Sequence, residues 1–93
     1  MTTRSKQEHP VDIHSKNVIE NAVYYNVVFF QPGSSIRQYK TFEDLKIAKA
    51  YTMATLKEPN RLRSAMIYAI DESDQHALVG TMNRDLVWKE SKN

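Results

Sequence analysis

The stretch that decides the reading is Ala22-Val23-Tyr24-Tyr25-Asn26-Val27-Val28-Phe29-Phe30-Gln31. It is dense in β-branched and aromatic residues and free of Gly and Pro, which predicts a β-strand. A strand that covers a core on one side and meets water on the other alternates in character. This one does not. Val23, Tyr25, Val27 and Phe29 fall on one face, and Tyr24, Val28 and Phe30 fall on the other, interrupted only by Asn26.

Working outward, Pro32-Gly33-Ser34-Ser35 reads as a turn, since Pro presets φ and Gly accepts positive φ. Ile36 to Lys40 then returns as the second strand of a hairpin. Thr41 suits a helix N-cap, with Glu43 and Asp44 at the positive end of the dipole. The composition predicts a helix from Phe42 to Lys57, where Pro59 stops it. Ala65 to Asp71 is a third strand, Glu72 to Gln75 a polar turn, and His76 to Met82 a fourth strand. Leu86-Val87-Trp88 suits a short edge strand or a strap. Asn17 to Asn21 is compatible with a helical turn or a strand lead-in. The order β-β-α-β-β predicts an α+β fold, an antiparallel sheet of four strands (five with the edge segment) and one main helix on a face. The predicted core is Val27, Phe29, Leu45, Ala48, Ile67, Ala69, Leu78 and Val79.

Before residue 21 the apolar residues are only Met1, Val11, Ile13, Val18 and Ile19. Residues 1–17 therefore read as a mobile arm, 18–90 as a single domain and 91–93 as a tail. Hydrophobic residues are 41% of a chain of 93, an ordinary globular content. No apolar run approaches the roughly 18 residues of a membrane span, and no signal-peptide core follows Met1, so the expected setting is cytoplasmic.

Chemistry is sparse. Cys is 0, which removes disulfides, thiolate metal sites and Cys nucleophiles. His9, Asp12 and His14 lie close in sequence without the supporting packing that a metal site needs. No Ser sits in a nucleophile elbow, and two glycines are too few for a phosphate-cradling loop. The sequence therefore predicts no catalytic residues, no metal and no cofactor.

What remains is association. The helix, like the first strand, is apolar on two sides at about 100° per residue. One stripe holds Phe42, Leu45, Met53 and Leu56, and another holds Ile47, Ala50, Tyr51 and Ala54. The candidate interface is Tyr24, Val28, Phe30, Ile47, Tyr51 and Ala54. The corresponding function is a non-enzymatic protein–protein interaction module, self-associating or bound to another protein. A compact cysteine-free chain with a polar arm also fits a small phage or mobile-element accessory protein. The alternative is nucleic-acid binding. Residues 21–64 carry seven basic side chains against three acidic, whereas 65–93 are net acidic. Arg37, Tyr39, Lys40, Lys57, Arg61 and Arg63 form the candidate basic patch, able to neutralise phosphates while tyrosine stacks on bases.

Overall fold

The computed structural model describes residues 10–33 and 38–91. In chain order the elements are α1 (Pro10–Glu20), β1 (Tyr24–Phe30), β2 (Gln38–Phe42), α2 (Leu45–Lys57), β3 (Ser64–Ile70), β4 (His76–Asn83) and β5 (Trp88–Glu90). The five strands form one antiparallel sheet in the order β2-β1-β3-β4-β5. The fold is α+β, as the strand and helix patterns predict, with α2 as the main helix.

The registers sort the side chains. Val27 pairs with Ile67, Tyr25 with Ala69 and Phe29 with Ala65. These residues share the face that α2 covers with Ala48 and Leu56, and Leu62, Val79 and Met82 complete the cluster. α1 adds Ile19, with Ala22 just beyond it, to the same core. The segment expected as an arm thus contributes a helix from residue 10 onward, and the boundary set at residue 17 falls inside α1. Pro10 suits the first helical position, where its missing N–H costs nothing.

The helix start differs from the expected one. Thr41 and Phe42 belong to β2, and the N-cap of α2 is Asp44, whose carboxylate accepts from the Lys46 N–H at 2.8 Å. Thr41 instead donates its hydroxyl to Asn26 Oδ1 at 2.7 Å across the β1–β2 pair. Both residues are good caps, and extended pairing with β1 decides between them. At the other end, Pro59 follows Glu58, whose extended backbone closes α2 as expected.

Two core assignments also change. Leu45 is only half-buried at the first turn of α2. Leu78 lies on the opposite face of the sheet, because the β3–β4 register shifts between Ile67 and Tyr68. Ile67 pairs with Gly80 and Tyr68 with Leu78, so Val79 is the extra residue of a bulge. The bulge lets Val79 enter the core while Leu78 turns away from it.

Candidate functional site

α2, with Ile19 of α1, covers one face of the sheet; the opposite, or bare, face carries mostly half-buried side chains, and Ile70 at its β3 end is fully buried. Pleating sends Tyr24, Val28 and Phe30 of β1 there, together with Met66 and Tyr68 of β3 and Leu78 of β4. From β2, Tyr39 joins them opposite Val28 and is 68% exposed. One row runs across all five strands as Tyr39, Val28, Met66, Thr81 and Lys89. Asn26, Val28, Tyr39, Tyr68 and His76 line a hollow of about 250 Å³ on this face. The Tyr68 hydroxyl donates to Met66 Sδ at 3.6 Å, which ties the two central side chains together.

Electrostatically the face is nearly empty. Within the strands, Lys89 on the short edge strand is the only side chain of fixed charge that the register places there, and His76 begins β4. The Asn26 side-chain oxygen accepts from the Thr41 hydroxyl, which pairs these two polar groups across β1 and β2.

The candidate interface residues divide. Tyr24, Val28 and Phe30 do lie together on the bare face. Ile47, 56% exposed, and Ala54 lie on the outer side of α2, across the molecule from them. Tyr51 is turned inward, its ring 6.0 Å from that of Phe29 and 5.0 Å from that of Phe42. The helix buries Ala48, Thr52 and Leu56, of which only Leu56 belongs to a stripe read from sequence. Thr52 can occupy the core because its hydroxyl donates to the Ala48 carbonyl at 2.8 Å.

The candidate basic patch also divides. Tyr39 and Lys40 are consecutive in β2 and so point to opposite faces, with Lys40 Nζ 5.4 Å from the centre of the Tyr51 ring on the helix side. Lys57, Arg61 and Arg63 are exposed at the end of α2 and in the connection to β3. Arg37 lies outside the described residues. Leu62, between the two arginines, is buried in the core and pins that connection.

Sequence reasoning missed Met66, Tyr68 and Arg84. The first two carried a signal, since they alternate with Ala65, Ile67 and Ala69 exactly out of phase with the core. Arg84 carried none. Its guanidinium donates to the carbonyls of Glu58 and Leu62, each at 2.6 Å, and to Asn60 Oδ1 at 2.8 Å. Asn60 in turn donates through Nδ2 to the Thr55 carbonyl at 2.9 Å. The cation thereby fastens the loop that follows α2. Near it, Phe30, Pro32, Arg63 and Asp85 help to line an open depression of about 650 Å³.

Among the described residues, no three His, Asp or Glu side chains converge as metal ligands, and no helix is long and apolar enough to cross a membrane. No family model matches the chain, and no curated protein and no solved structure matches it either.

Proposed function

We propose that this chain is a non-enzymatic protein–protein interaction module that docks through the helix-free face of its sheet. The observation that carries the reading is the row of Tyr39, Val28 and Met66 with Tyr68 beside it, open on a face that spans all five strands. Tyrosine and methionine are favoured in interface cores, where charged residues are depleted. Rigid tyrosine rings supply contact area at low entropic cost.

Charge favours a protein over a nucleic acid. A phosphate backbone is held by clustered Lys and Arg, and this face offers Lys89 at its edge. Lys57 and Arg61 precede β3 in the connection from α2, and Arg63 lines a depression with Phe30 at one end of the face, beside Asp85.

A photo-crosslinking amino acid placed at Tyr39, and in a second variant at Ala54, tests the reading in cells that make the chain. Protein adducts form from position 39 and not from position 54. Adducts from 54 alone, or nuclease-sensitive adducts from 39, overturn it.

A further inference from the structure

We infer that residues 85–91 form a strap that swings open as a unit while the rest of the sheet stays closed. This does not rest on the docking reading above. The strap begins where the chain is last fastened to the body of the fold. Arg84, bonded to the Glu58 and Leu62 carbonyls, is tied to the loop after α2. Beyond it, β5 is an edge strand that pairs with β4 through Gly80–Glu90, Thr81–Lys89 and Met82–Trp88. The Ser91 N–H adds one bond, to the Val79 carbonyl at 2.9 Å. Three residues is the short limit for a strand.

Two features oppose the closed strap. Leu86, in the turn that leads into β5, has a φ of 64°. A leucine is disfavoured there, because its Cβ crowds the backbone carbonyl. The turn holds it in place: the Leu86 N–H donates to the Asn83 carbonyl at 2.9 Å, and the Val87 N–H to Asp85 Oδ1 at 3.1 Å. Trp88 carries the second feature. Its Nε1 is buried and has no hydrogen-bond partner among the described residues. A buried donor without an acceptor favours the state in which water reaches it. Opening relieves both.

The Trp88 ring is what holds the strap shut. It lies so close to Gly80 that a Cβ there would overlap the indole, and the Lys49 ammonium of α2 sits 4.4 Å from the ring centre. Leu86 and Trp88 both pack on the hydrophobic core. One ring thus works as a latch against a strained turn and an orphaned donor. Where stability is this uneven, a segment opens without global unfolding. Release bares the slot over Gly80 and the β4 edge from Val79 to Met82.

Native-state hydrogen exchange of the full chain, in water and in low urea, tests this. The Ser91 N–H and the Trp88 indole N–H report on the strap, and the slowest amides of the β1–β3 pair report on the whole fold. Ser91 and the indole share one protection factor, at least about a hundredfold below that of the β1–β3 amides. Low urea barely changes it, because opening the strap exposes little surface, while the β1–β3 values fall steeply. Val27→Ala leaves a cavity in the core three strands away from β5 and speeds exchange of the β1–β3 amides at least about fivefold. It leaves Ser91 and the indole unchanged, since the open form keeps that core. An indole as protected as the β1–β3 amides, with their urea slope, shows that the ring leaves only on global unfolding and overturns the strap. Free exchange at Ser91 beside a protected indole is fraying of the strand end and also overturns it. So do strap protons that quicken with the β1–β3 amides in Val27→Ala.

Discussion

Gly80→Ala perturbs the seat of Trp88 on β4. A Cβ built at Gly80 overlaps the indole of Trp88 and comes within 2.6 Å of the Lys89 carbonyl oxygen. The carbonyl belongs to the β4–β5 pairing, so the added Cβ both displaces the ring and strains the pairing with the edge strand. A Trp side chain buries about 150–250 Å². Trp88 is half-buried, and half of that area at about 25 cal/mol per Å² amounts to about 2–3 kcal/mol. The departure also removes the Lys49 ammonium that sits 4.4 Å from the ring centre, an interaction of about 0.5–1 kcal/mol at an exposed site. A chain of 93 residues has about 5–14 kcal/mol of stability in all, so the loss is large. Trp88 is the only tryptophan and reports on itself. Urea unfolding followed by its fluorescence shows a red-shifted native emission and a midpoint lower by about 1–2 M, with an unchanged slope. In a Trp88→Ala background, followed by circular dichroism, Gly80→Ala costs at least about 1 kcal/mol less. An unchanged midpoint and emission, or strict additivity in the double variant, refutes the packing argument.

Two further predictions concern the ends of α2. Asp44→Ala lowers stability by about 1 kcal/mol through loss of the cap on the Lys46 N–H, while Asp44→Asn keeps most of it; thermal melts of the two separate them. Arg84→Ala removes three charge-assisted hydrogen bonds from partly exposed acceptors and costs about 1–3 kcal/mol. Hydrogen exchange then quickens at Leu62, whose N–H donates to Asn60 Oδ1, and an unchanged exchange rate there contradicts the fastening role of Arg84.

How much was legible in the sequence differs by kind of signal. The strands of the sheet are marked by local composition, and the stop of α2 by Pro59. The two-sided character of Tyr24 to Phe30 pointed to a second apolar surface, and the register shows which of its residues share it. The inner stripe of α2 was not legible, because a polar Thr52 lies at its centre and is made tolerable only by a bond to its own helix. The turn-inward of Tyr51 depends on Phe29 and Phe42, which no local window contains together. Leu78 and Val79 were separated by a bulge, a one-residue shift that alternation alone does not reveal. Arg84 acts on residues more than twenty positions away, so its role belongs wholly to tertiary structure. The start of α2 at Asp44 rather than Thr41 is the same lesson on a smaller scale. Two residues with equal local preference were sorted by a partner on another strand.

Methionine oxidation tests the central claim most directly, since the chain carries its own controls. Met53 is 39% exposed on α2, Met82 is 2% exposed in the core, and Met66 lies half-exposed on the bare face. Oxidation follows exposure. In dilute protein Met53 and Met66 are oxidised and Met82 is spared. In a lysate of cells that make the chain, where its protein partner is present, Met66 is protected while Met53 keeps its rate. A Met66 that oxidises equally fast in the lysate and in purified protein, or that resists oxidation even in dilute purified protein, contradicts the account.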